Sequence, residues 1–161
     1  MYPEIIGFSG KLPLKASVWQ IDEYHYHWHN AVEIILVLAG KTEVTLCGDT
    51  HLLKENEVAV VNVNKPHRIK KNGGTNRLLL LQIDPAFCVR ADPNFEYMLF
   101  QCCSTDPEAE APKKYRCLKE HVARLVQLLP DDEAVPYHEE AVKACLEELL
   151  IYMMDSFDYL R

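Results

Sequence analysis

The 161-residue sequence has little glycine, six residues in all, and no CxxC pair, basic run or long apolar block. Each absence excludes something. Without a glycine-rich loop there is no phosphate cradle of the nucleotide-binding kind. No apolar stretch approaches the ~20 residues that span a bilayer. The opening "MYPEIIGFSGKLPL" lacks both a basic start and a long apolar block, so no export signal is read and a cytoplasmic location is expected. Net charge is −7, and the densest basic group (Lys65, Arg68, Lys70, Lys71) has Glu55 and Glu57 close by in sequence. A face able to displace counterions from a duplex is missing, so this chain alone is not expected to bind DNA. The six cysteines, at 47, 88, 102, 103, 117 and 145, follow no zinc-ribbon spacing. In the cytoplasm they read as reduced thiols. The adjacent pair Cys102-Cys103 admits a redox role, although two ordinary thiols is the reading adopted. Ser9, Ser17, Ser104 and Ser156 lie in no nucleophile elbow. With no nucleophile–base arrangement, a binding role is expected in preference to an enzymatic one.

What is present is a chain that is 48% hydrophobic, enough for one compact unit with a core. Its halves differ in texture. Residues 16–84 break into short runs between turn signals: an extended stretch over 16–28, then 32–39, 42–47, 50–54, 57–63, 67–71 and 77–83. Gly48-Asp49 marks a hairpin. Many short strands at close spacing predict a sandwich or small barrel. "VEIILVLA" and "LLLLQI" are apolar on both faces, so they need a cover outside as well as a filled interior.

The second half provides candidates for that cover. Over 113–129, Leu118, Val122, Leu125, Val126 and Leu129 share one helical face. Pro130-Asp131-Asp132 ends that helix. Over 137–160 a second stripe holds Val142, Leu146, Leu149, Leu150, Met153, Phe157 and Leu160. This predicts an antiparallel helix pair whose apolar surface covers the barrel, pairs with a second copy, or does both. The expected division is residues 1–90 for the barrel and 91–161 for a connector and the helices, within one compact unit. Residues 86–112 are read as that connector.

The chemistry concentrates in "YHYHWHNAVEIILVLAG", residues 24–40. Strand alternation puts His25, His27 and His29 on one face and Tyr24, Tyr26 and Trp28 on the other. Glu33 lies in an apolar strand, where a carboxylate is costly unless it is paired or ligates a cation. His67 follows the turn Asn64-Lys65-Pro66 and opens another strand. Imidazoles plus a carboxylate suit a divalent transition metal such as Zn, Ni, Fe or Mn. A polar pocket lining without metal is the alternative, and both stay open. Trp19 offers a plane on which a sugar or aromatic ligand stacks, and it joins His27, His29, Glu33 and His67 as a pocket residue. Trp28, by parity, points away. His25, His51, His121 and His138 are expected at the solvated surface, and Arg68 on the outer side of its strand.

His27-x-His29, then Glu33 and Gly40, resembles the first motif of the cupin superfamily. His67, after "KENEVAVVNVNKP", falls where the second motif places its histidine. One departure is Lys54-Glu55-Asn56, where the family has a glycine turn. The resemblance implies a double-stranded β-helix, a jelly-roll barrel, with His27, His29, Glu33 and His67 converging inside it.

A narrower resemblance extends over nearly the whole chain. "HWHNAVEIILVLAGKTEVTLCGDTHLLKENEVAVVNVNKPHRI", "LLLLQIDPAF", "FQCCS" and the two helices follow the order seen in the N-terminal sensor domain of AraC-family transcription regulators. That resemblance implies a barrel that binds a small-molecule effector, such as a sugar. It also implies a homodimer formed through the last helix, here Leu146, Leu149, Leu150, Met153 and Phe157. DNA would be bound by a C-terminal helix-turn-helix half, expected beyond Arg161. The competing readings are a metal-dependent cupin enzyme (a dioxygenase or isomerase) and a stand-alone binding protein.

Overall fold

Runs of β-branched and aromatic residues become strands wherever turn residues release the chain. The computed structural model describes residues 1–8, 10–105, 112–130, 136–157, 159 and 160. Ser9, Asp131, Asp132 and the Leu160 side chain fall outside what is described. One sheet holds, in spatial order, β1 (Tyr2–Pro3), β3 (Glu23–Trp28), β8 (His67–Lys71), β5 (Thr42–Leu46) and β6 (Asp49–Leu53). The other holds β2 (Leu14–Trp19), β9 (Arg77–Ile83), β4 (Val32–Ala39) and β7 (Val58–Val61). Sequence neighbours change sheets at almost every turn, which is the crossing pattern of a jelly roll.

The turns follow from residue type. β5 and β6 are joined by Cys47-Gly48, both at positive φ (50° and 94°), with Leu46 opposite Asp49. Such a pair of left-handed residues matches the twist of the strands it joins. Gly40, at φ 76°, lies so near residue 75 that an added Cβ would be 2.3 Å from the Thr75 carbonyl oxygen. Only glycine fits there. Asn56 takes φ 69° in the turn before β7, and its N–H donates to Val37 O at 2.8 Å. Asparagine tolerates this region better than other non-glycine residues. It therefore stands in for the glycine that the cupin motif leads one to expect.

Alternation splits each central strand between two cores. Ile35 and Val37 of β4, Ala59 and Val61 of β7 and Leu78 of β9 face the barrel interior. Their neighbours Val32, Ile34, Val58, Val60, Leu79 and Leu81 face outward into a second, larger core. That outer core is closed by α2 (Pro112–Leu128) and α3 (His138–Ser156), as the doubly apolar strands require.

Here the assignment of the α3 stripe to a dimer is corrected. Leu146, Leu149, Leu150 and Met153 are 0% exposed and Phe157 is 4% exposed, all within the outer core. Covering the barrel satisfies the stripe, and each fully buried leucine contributes about 1.5–3 kcal/mol relative to exposure. A second copy has no access to these side chains.

The connector is also more built than its sequence suggests. Asp84 caps α1 (Pro85–Ala91), its carboxylate accepting from the Ala86 N–H at 3.0 Å, with Pro85 in the first turn. Phe95, Met98 and Phe100 are buried in the outer core. Residues 102–104 then run along β7: Val60 N–H donates to Cys102 O (2.9 Å), Ser104 N–H to Val58 O (2.9 Å), and Val58 N–H to Ser104 Oγ (2.9 Å). This covers an edge strand that would otherwise expose its ladder groups. The chain closes with β10 (Leu99–Phe100) against β11 (Tyr159–Leu160).

Candidate metal centre and ligand cavity

Two strands and a turn bring the histidines together. His27 comes from β3, His29 from the turn after it, and His67 from the first position of β8. Cross-strand pairing places His27 opposite His67. Each ring is oriented the same way: Nδ1–H donates to a main-chain carbonyl two residues distant. The pairs are His27 to His25 O (2.7 Å), His29 to Ala31 O (2.8 Å) and His67 to Lys65 O (3.0 Å). With Nδ1 committed, all three Nε2 atoms are free to converge, which is how outer-shell bonds orient metal-ligating imidazoles. The three ligand atoms lie within 4.8 Å of one another.

Glu33 completes the cluster from β4. Its Oε2 is 2.9 Å from His29 Nε2 and 3.3 Å from His67 Nε2, and the carboxylate is 2% exposed. Burial alone would raise its pKa. The hydrogen bond from His29 and the nearby charge of His67 and His29 outweigh that and hold it at about 2. Burial likewise opposes protonation of His29, but the Glu33 carboxylate prevails and raises its pKa. His27 is lowered, mainly by burial.

These residues fit a divalent transition metal. His67 Nε2 is buried without a hydrogen-bond partner, and three converging imidazole nitrogens form a donor set of the type such ions take. His27, His29 and His67 would hold it, with Glu33 beside them.

The fifth predicted pocket residue, the tryptophan, is placed at a cavity of about 890 Å³ between β2 and β3. Trp19 lines it and is 54% exposed, its Nε1–H donating to Ser17 Oγ at 2.6 Å. Glu33 reaches the cavity from the barrel interior and Leu129 reaches it from the end of α2. Lys15, Gln20, Tyr24 and Gln82 supply polar groups along its wall. Asn76, 5% exposed, clamps the β2–β3 turn by accepting from Ile21 N–H and donating to Ile21 O, both at 2.9 Å.

Simple alternation misplaced two side chains. A register shift between Tyr24 and His27 interrupts the ladder of β3 with β8. Tyr24 therefore turns inward, 4.1 Å from the His27 ring and against the interior core, while His25 points out with its side chain 76% exposed. An irregularity of this kind flips the facing of every residue on its far side. His51, His121 and His138 are half-buried, contrary to the expectation of solvation. His121 packs on Tyr152 with ring centroids 4.8 Å apart. Arg68 is directed outward to Glu23 at 3.1 Å.

One residue beside the histidine cluster had no signal in the sequence. Glu4 Oε2 is 3.3 Å from His27 Nε2. It belongs to an unremarkable N-terminal stretch, and only the pairing of β1 with β3 brings it here.

Residues 20–84 match the family profile described as "Cupin domain". No curated protein matches the sequence. Similar solved structures include the Schizosaccharomyces pombe Cnp3 cupin domain, with 22% identity and a TM-score of 0.46, covering 52% of this chain and 64% of that one. A conserved Streptococcus pyogenes protein of unknown function, SPY1581, has 22% identity and a TM-score of 0.43, covering 45% of this chain and 66% of that one. A cupin-2 domain containing protein from Shewanella frigidimarina has 14% identity and a TM-score of 0.41, covering 44% and 71%. None of the helices described is long and apolar enough to cross a membrane. The matched profile spans residues 20–84, and the crossing order of the strands there is that of a cupin-like β-sandwich.

Proposed function

We propose that this chain is the effector-binding domain of an AraC-type transcription regulator, taking a small polar ligand beside a metal ion held in the cupin barrel. The observation that carries the reading is the reach of the cavity. It runs from Glu33, inside the barrel, to Leu129 at the end of α2. An occupant thus touches both the metal-binding cluster and the helical layer through which a sensor signals. The volume lies within the range of roughly 300–1,000 Å³ common for small-molecule sites. Trp19 offers a stacking plane and Lys15, Gln20 and Gln82 offer hydrogen bonds, a lining suited to a hydroxylated ligand such as a sugar. Support for the regulator itself is the order of elements over 24–160, followed here through barrel, α1 and both helices. A homodimer, if formed, uses a surface other than the α3 stripe.

A bound divalent ion would supply Lewis-acid polarisation to a ligand oxygen. The chain's own contribution is orientation: backbone carbonyls fix the three imidazoles and His29 fixes Glu33. A second reading is a metal-dependent cupin enzyme, favoured by one observation, that the cavity opens directly on a ligand carboxylate.

The test begins with metal analysis of purified protein, followed by thermal-shift screening of sugars and polyols with and without the ion. Saturable stabilisation by a compound that is recovered unchanged supports the sensor. Consumption of that compound, dependent on the metal, would replace it with the enzyme.

A further inference from the structure

The N-terminal segment forms one wall of the metal centre. β1 runs parallel to β3, with Tyr2 opposite His27 and Pro3 opposite Trp28, and the Glu4 N–H donates to Trp28 O at 2.8 Å. The Tyr2 ring stacks on His27 with centroids 5.9 Å apart and planes 25° from parallel. These contacts aim the Glu4 side chain inward, and it lines the same cavity as Glu33.

The polar atoms at this point are mismatched. Glu4 Oε2 is buried with no hydrogen-bond partner and lies 3.3 Å from His27 Nε2. His27 has already committed Nδ1–H to His25 O. In the neutral ring its Nε2 lone pair faces a carboxylate oxygen, acceptor against acceptor. Across the cluster His67 Nε2, fully buried, is also without a partner and is 3.3 Å from Glu33 Oε2. Unpaired buried acceptors are expensive, and a cation between them removes that cost. Separations of 3.3 Å are those of neighbouring ligands on one ion whose bonds are about 2.0–2.2 Å long.

We propose that Glu4 is a second carboxylate donor to the ion held by His27, His29, Glu33 and His67. The inference rests on the metal reading above and goes beyond it, because it makes the N-terminal segment part of the binding site. Loading the ion then fastens residues 2–4 to β3.

Cobalt(II) titration of the full chain tests this, read by visible absorbance and by calorimetry, for the unaltered protein, Glu4→Gln and Glu33→Gln. A ligand role predicts that Glu4→Gln weakens cobalt at least about tenfold and changes the visible band pattern. Hydrogen exchange on the unaltered protein provides a readout that does not depend on a variant folding. Cobalt should slow exchange at the Glu4 amide. If Glu4→Gln binds cobalt with unchanged affinity and spectrum, or cobalt leaves the Glu4 amide unaffected, Glu4 is no ligand while the metal centre stands. If the unaltered protein binds no cobalt, the metal reading itself falls and the Glu4 assignment with it.

Discussion

His29 Nε2 and Glu33 Oε2 lie 2.9 Å apart, and neither side chain is more than 2% exposed. A buried pair of this kind is held in place by what its loss would leave behind. Glu33→Ala strands the Nε2 of His29 in the core and removes the carboxylate beside His67. The expected cost in the metal-stripped protein is about 3–5 kcal/mol. Urea unfolding with an unchanged m-value measures it. A cost under about 1 kcal/mol would mean that water already solvates the cluster.

Leu146 and Ile151 lie on the same helix with opposite fates. Leu146 is 0% exposed and Ile151 is 52% exposed. Leu146→Ala should cost about 2–5 kcal/mol through the cavity it leaves, without altering the oligomeric state of the protein that remains folded. Ile151→Ala should stay within about 0.5 kcal/mol. Thermal melts and sedimentation together decide this. A folded Leu146→Ala protein that had merely dissociated would return the stripe to an interface.

Glycines at positive φ separate backbone strain from collision. At Gly40 (φ 76°) an added Cβ would be 2.3 Å from the Thr75 carbonyl oxygen, while at Gly48 (φ 94°) nothing lies within 4 Å. Gly48→Ala should cost about 1 kcal/mol, from left-handed strain alone. Gly40→Ala should cost more than about 2 kcal/mol, since backbone must move as well. Equal losses at the two positions, in chemical denaturation, would refute the close approach of residue 75.

Three of the six cysteines should react in a fixed order. Cys47 is exposed, whereas Cys88 and Cys102 are buried. Burial pushes the Cys88 thiol up to about 12, and burial raises Cys102 as well. A raised pKa leaves both as neutral thiols at pH 8, and the thiolate is the reactive form. A thiol reagent should therefore label Cys47 first and reach Cys88 and Cys102 only on unfolding, as mass spectrometry of peptides would reveal. Rapid labelling of Cys102 in native protein would revive a redox role for the Cys102-Cys103 pair.

That pair illustrates where local reading stops. The two residues are adjacent, yet Cys102 belongs to the outer core and Cys103 to the barrel interior, because the segment lies flat along β7. Sequence displays neighbours and periods. It does not display which strand edge a connector will cover.

What the sequence by itself determined follows from local periodicity and residue chemistry. Runs of β-branched residues ending at turns set the strands. Stripes at helical spacing set α2 and α3. A carboxylate inside "VEIILVLA" required a partner, and His27, His29 and His67 were the groups able to supply one. Only the tertiary structure decided the rest. The irregularity in β3 reversed Tyr24 and His25, since alternation holds only along an unbroken ladder. The doubly apolar strands claimed the α3 stripe, since a helix buries its face against the nearest uncovered surface of its own chain. Glu4 reached the histidine cluster through a parallel pairing with β3, which links residues far apart along the chain and leaves no periodic trace in either.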